Sequence, residues 1–192
     1  MLDELGLLFR ILRAPSIARR YVVTNGFDGC VAMLGLLMGF RVGAPVALEV
    51  VVGACLATAV ALGMSGLTSA YISEAAEKKK ELRELESAML TDLDQSAHGR
   101  AARLMPIAIA LVNGLAPFLV AMVIMLPLWL GWAGIVLPVA PLDTAIVVAF
   151  VEAFLLGVFV GTISETFWLW AGLRATFVAG VTAGLILLLA PG

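Results

Sequence analysis

From Leu104 to Leu142 the chain carries no charged side chain. An apolar stretch of that length does not suit a water-soluble core. Its backbone polar groups must be satisfied within the segment, which points to helices crossing a bilayer. The rest of the chain agrees: 62% of its 192 residues are hydrophobic and 14% are charged, against roughly half and a quarter in an average globular chain. With a mean hydropathy of +1.07, the surplus of apolar side chains is expected to face lipid. A net charge of −2 offers no basic surface for nucleic acid. Two cysteines, Cys30 and Cys55, both inside apolar runs, offer no disulfide framework.

About 20 mostly apolar residues are needed to cross roughly 30 Å of hydrocarbon. By that measure the sequence predicts an all-α polytopic membrane protein. Its five transmembrane helices are expected near residues 21–40, 44–73, 104–127, 144–163 and 167–190. Arg41-Val42-Gly43 is read as a tight turn between the first two. Pro127, Pro138 and Pro141, with Gly131 and Gly134, are expected to break the uncharged run, ending the third helix at Pro127. Trp129 and Trp132 suit an interfacial belt. Over residues 1–20, Leu2, Leu5, Leu8, Phe9 and Leu12 are mixed with arginines, the pattern of an interfacial amphipathic helix rather than a cleaved leader. Residues 74–103 form the one long hydrophilic stretch. Its first part, through Glu86, is made of strong helix formers without Gly or Pro, so the second helix is expected to run on into the cytoplasm, with Asp92 to Gly99 turning the chain back.

Basic residues favour the cytoplasmic side. Arg10, Arg13, Arg19 and Arg20 precede the first helix, Lys78, Lys79, Lys80, Arg83, Arg100 and Arg103 separate the second from the third, and Arg174 follows the fourth. All fall on one side of a five-span chain, with Arg41 opposite, which predicts a cytoplasmic N-terminus.

A charge at bilayer depth costs roughly 2.5–3.5 kcal/mol on insertion scales, so each intramembrane acid requires an explanation. Asp28 shares a helical stripe with Ala32, Gly35 and Gly39, small residues at a spacing that lets helices approach, so its carboxylate is expected to face protein. It is a candidate for an ion or proton path; the plainer alternative is a neutral acid capped by Asn25 one turn back. Glu152 could pair with Asn113 or Thr58, or carry protons. Glu49, near the far end of the second helix, is expected to be solvated. Met64 lies on a stripe with Gly53, Ala57, Ala61 and Thr68, a pattern most often found in a core. A thioether beside a carboxylate nevertheless suits a borderline first-row cation, because sulfur disfavours Mg²⁺ and Ca²⁺. Glu74, Glu77, Glu81 and Glu84 share one face of the hydrophilic helix. They read as a solvated row laced by pairs such as Glu74 with Lys78 and Lys80 with Glu84, and equally as an acidic stripe that concentrates cations. No Ser-His-Asp set, phosphate-binding loop or CxxC occurs, and His98 is the single histidine, so neither an enzyme nor a tightly bound cofactor is expected.

Arg20-Tyr-Val-Val-Thr-Asn-Gly-Phe-Asp28-Gly29 resembles the first-span signature of the vacuolar iron transporter family. Tyr71-Ile-Ser-Glu74-Ala-Ala-Glu77 is similar to that family's pattern at the cytoplasmic exit of the second span. Phe154-Leu-Leu-Gly157, Trp170-Ala-Gly172-Leu-Arg174 and the spaced Gly180 and Gly184 are similar to its last two spans. The resemblance covers residues 19–192. It implies a homodimer that exports Fe²⁺, or Mn²⁺, from the cytosol in exchange for protons, along a path at the subunit interface lined by the first span. Asp28 would be the intramembrane ligand and Met64 the pore methionine, although Met64 stands further from Tyr71 than the family pattern puts it. The large metal-binding domain that plant members insert after the second span is missing. The cytoplasmic ligands would then reduce to Glu77, with Glu74 and Glu81. The resemblance implies an integral protein of a prokaryotic inner or plasma membrane, or of a vacuolar-type membrane in a eukaryote. A rival reading is a non-transporting assembly or sensor subunit whose intramembrane acids are structural.

Overall fold

Apolar runs with few interior breakers become helices, and the computed structural model, which describes residues 15–190 and side chains from Tyr21 onward, contains five of them. They are α1 (Pro15–Val42), α2 (Leu48–Met89), α3 (Ala97–Trp132), α4 (Pro141–Ile163) and α5 (Trp168–Leu189). No strand occurs among the described residues, and all five helices are long and apolar enough to cross a membrane. The interfacial helix expected over residues 1–20 lies largely outside the described residues; α1 is already helical from Pro15.

The expected boundaries shift at several places, among them the start of α3, which lies at Ala97 and not near 104. The first turn lies later, because α1 runs to Val42 and α2 begins only at Leu48. α4 starts at Pro141, where the missing N–H of proline is tolerated because a first-turn donor has no intrahelical partner. One correction is larger: Pro127 does not end α3, which continues to Trp132 with Pro106, Pro117 and Pro127 all inside it. Those three prolines are buried. In a spanning helix, packing neighbours compensate for the single backbone hydrogen bond that each proline removes. Pro117 lies against α1 at Gly29, where a Cβ would stand 2.8 Å from the proline Cα.

α2 and α3 form the most extensive helix pair. They meet where Gly63 and Gly66 face Gly114: a Cβ on Gly66 would lie 2.8 Å from the Asn113 carbonyl oxygen, and one on Gly114 2.6 Å from that of Gly63. With 42 residues at about 1.5 Å per residue, α2 is about 63 Å long, about twice the length needed to cross the hydrocarbon layer. Ser96 caps the return, its hydroxyl accepting from the backbone N–H groups of His98 and Gly99. α4 and α5 make a second close pair, where Gly157 and Gly161 meet Ala171, Gly172 and Ala175.

α1 stands between the two pairs. It packs chiefly on α3 and α4, then on α5, and least on α2. Met33, Leu34 and Leu37 from α1 interlock with Ile124, Met125 and Leu128 from α3 and with Ala145, Ala149 and Ala153 from α4. Polar contacts tie its two ends. The Tyr21 hydroxyl donates to Glu74 on α2 at 2.9 Å, and Arg41 pairs with Asp143 at the start of α4 at 2.6 Å.

Candidate functional site

A chain of amide hydrogen bonds joins three helices at the end of the bundle where α1 meets the hydrophilic half of α2. The Asn25 side chain donates to the Tyr21 carbonyl at 3.0 Å and to the side-chain oxygen of Asn113 on α3. Asn113 in turn donates to the Gly66 carbonyl on α2 at 2.6 Å. At 5% exposure, Asn113 is the buried polar residue of the core. The glycine at position 66 is what lets the α2 backbone come near enough to receive this bond. Asn25 is therefore committed to Asn113 and does not cap Asp28. Glu152 does not pair with Asn113, and Thr58 is also occupied elsewhere, donating to the Ala54 carbonyl of its own helix.

Asp28 is exposed in the single chain. The expectation that it faces protein needs refinement, because it faces a groove. The groove, of about 440 Å³, lies between α1, α4 and α5. Its walls include Val23 and Phe27 from α1, Leu156 and Val160 from α4, and Ala171 and Ala175 from α5. Its polar groups are Asp28, Thr24, Ser164, Thr166 and Arg174. Small residues shape it: α4 and α5 pack closely at Gly157. Further along the Asp28 stripe, Gly35 and Gly39 leave α1 open, since a Cβ on Gly39 would touch nothing within 4 Å and one on Gly35 only the tip of Ile186.

The other residues singled out from the sequence lie apart from this groove. Met64 is 57% exposed on α2, and its companions Gly53, Ala57, Ala61 and Thr68 are exposed as well. The stripe that resembled a core is thus an outer face, while Val51, Cys55, Ala59 and Ala70 are the buried residues of that helix. Glu49 is exposed on the surface of the single chain. Glu152 is half-buried on α4, with one carboxylate oxygen enclosed and without a hydrogen-bond partner. One turn earlier on α4, the Ala149 carbonyl accepts from the Cys30 thiol of α1 at 3.2 Å.

Along the hydrophilic part of α2, Glu74 accepts from Tyr21 in place of the expected Lys78. Lys78 instead pairs with Glu81 at 2.6 Å, and Lys80 reaches Glu84 at 3.9 Å. Glu77 is exposed. Among the described residues, no three His, Cys, Asp or Glu side chains come together to hold a metal ion.

Two features were missed in the sequence. Arg174 was read as a marker of sidedness and as part of the Trp170–Arg174 motif, not as a residue that lines a groove together with Asp28. The Asn25–Asn113 pair has no sequence signal beyond two amides in apolar runs. Comparison with models of protein families, with curated proteins and with solved structures gives no match to this chain.

Proposed function

We propose that this protein is a homodimeric transporter of divalent transition metal ions, Fe²⁺ or Mn²⁺, of the vacuolar iron transporter type. In this reading it moves the ions out of the cytosol in exchange for protons, and the N-terminus and the hydrophilic half of α2 are cytoplasmic. The observation that carries the reading is the open setting of Asp28: an intramembrane carboxylate facing a groove, on a helix whose Gly35 and Gly39 leave room for a second helix. Intramembrane acids in such settings mark ion pathways, and small residues at this spacing serve helix association. The motif resemblance around Asp28 and Tyr71 points the same way.

Because no three-ligand group forms among the described residues of one chain, an ion at Asp28 takes its other ligands from a second copy or from water. A two-fold axis beside α1 would bring two Asp28 carboxylates together. The exposed Met64 would contribute a soft ligand only from a face directed at that axis. Glu77, exposed, and Glu74 and Glu81, already engaged, form the acidic approach. Proton exchange follows from ligand chemistry, since a carboxylate must lose its proton to coordinate a metal. Glu152, with its enclosed unpartnered oxygen, is a second place for a proton.

Fe²⁺ flux into proteoliposomes tests the proposal. Loss of a ligand costs at least as much as loss of its outer-shell support, about tenfold or more, so Asp28→Asn is expected to cut flux by that factor while the chain still inserts and folds. Undiminished flux removes Asp28 from the path.

A further inference from the structure

Arg174 is the single charged side chain of α5 and stands six residues beyond Trp168, the first residue of that helix. It is exposed, and among the described residues it makes neither an ion pair nor a side-chain hydrogen bond. A guanidinium at bilayer depth is costly unless its head reaches water or an anion. At about 1.5 Å per residue its backbone lies about 9 Å from the start of α5, and its long stem leans back toward that start. The head is thus delivered toward the α4–α5 connection, which joins two helices long and apolar enough to span a membrane and so lies at headgroup level. The connection has the make-up of such a level. Residues 162–170 are exposed throughout, Phe167 and Trp168 hold their ring centroids 6.1 Å apart, and Trp170 precedes Arg174 by one turn on the same face of α5. Exposed tryptophans gather where hydrocarbon meets headgroups.

We propose that the α4–α5 side of the groove binds one anionic phospholipid, its phosphate on Arg174 and an acyl chain on Val160, Ala171 and Ala175. The proposal does not depend on what Asp28 binds. Val178, exposed on α5 one turn beyond Arg174, continues the apolar bed for the acyl chain. The fork of the guanidinium matches a phosphate, and charge decides which phospholipid is taken. The Ser164 hydroxyl is already engaged, donating to the Val160 carbonyl and lying 3.0 Å from the hydroxyl of Thr166, so the guanidinium carries the recognition. A zwitterionic headgroup would set its own ammonium beside Arg174, whereas a headgroup without an amine brings only the opposite charge. Of the acidic groups nearby, Asp28 belongs to the α1 wall and Glu165 does not line the groove.

Native mass spectrometry of the full-length chain, released from mixed micelles holding equal amounts of dioleoyl phosphatidylglycerol and dioleoyl phosphatidylcholine, gives the test. The wild type is expected to retain one phosphatidylglycerol, in about fivefold preference to phosphatidylcholine, the weight of a single basic group acting on an anionic lipid. Arg174→Gln is expected to bring that preference to about one, and Arg174→Lys to keep most of it. Val160→Trp, which fills the acyl bed and leaves Arg174 in place, is expected to lower retention of both lipids. Arg41→Gln, at the opposite end of α1, is expected to change nothing. A preference for phosphatidylglycerol that survives Arg174→Gln overturns the phosphate site, and retention undiminished by Val160→Trp overturns the groove as its bed. A wild-type chain that keeps no phosphatidylglycerol, a second copy covering the groove instead, overturns the proposal as a whole.

Discussion

Removing the Asn113 side chain takes away both side-chain bonds of the amide chain that joins α1, α2 and α3, and it leaves the Gly66 carbonyl with only the longer bond from the Ser69 hydroxyl, at 3.3 Å. Interhelical hydrogen bonds in membranes contribute about 0.6 kcal/mol on average and up to about 1.7. Asn113→Ala is therefore expected to lower the unfolding free energy by about 1–2 kcal/mol, measured by denaturant titration in mixed micelles. Because Asn25 and Asn113 share one bond, the double Asn25→Ala, Asn113→Ala variant should lose less than the sum of the single losses; strict additivity would show that the two amides do not act as a unit. At this scale the sequence revealed which residues were out of place in lipid but not which of them would meet. Asp28, Glu49 and Glu152 are visible as charges in apolar runs. That Asn25 reaches Asn113, and not Asp28, depends on how α1 and α3 are rotated against each other, which no short-range spacing encodes.

Close helix approach in this bundle is decided by glycines with neighbours, and the same residue type without neighbours has the opposite meaning. A Cβ at position 114 would lie 2.6 Å from the Gly63 carbonyl oxygen and 2.8 Å from the Cβ of Leu67, so Gly114→Ala must push α2 and α3 apart. Overpacking of this kind costs about 1–3 kcal/mol. Gly39→Ala meets nothing within 4 Å and gains up to about 1 kcal/mol of helix propensity. Opposite signs for the two substitutions in thermal unfolding of the detergent-solubilised monomer are the expected result; a destabilising Gly39→Ala there would contradict the open face of α1. Spacing in the sequence points the wrong way here: Gly39 has Gly35 four residues before it, a spacing that suggests close approach, whereas Gly114 has no glycine four residues away on either side. Helix number and the continuation of α2 as one helix through the hydrophilic segment to Met89 were legible because they follow from run length and propensity. The end of α3 was not: Pro127 reads as a breaker in isolation, and only its burial in the bundle shows why the helix tolerates it.

For the whole molecule, the distribution of polar groups is uneven. One end carries the amide chain, the Tyr21–Glu74 bond and the Asp28 groove, while the opposite end carries the Arg41–Asp143 pair. A cation held only by the folded chain raises its stability by about 2.7 kcal/mol at a hundred times its dissociation constant. The melting temperature of the nanodisc-embedded protein is therefore expected to rise with Mn²⁺ or Fe²⁺ and to stay put with Mg²⁺. No shift with any transition metal would favour the rival reading of a non-transporting subunit.

The central place of α1 also bears on how the protein is made. Of the described helices α1 is made before the others, yet its principal neighbours are α3, α4 and α5 rather than the α2 that follows it directly. During synthesis its Met33, Leu34 and Leu37 side chains must wait uncovered until α3 and α4 have been made. A nascent chain stalled before α4 would lack the alanine-lined wall that encloses Met33 and Leu34. The earliest-made of the described helices thus has its apolar core face completed only when later ones arrive.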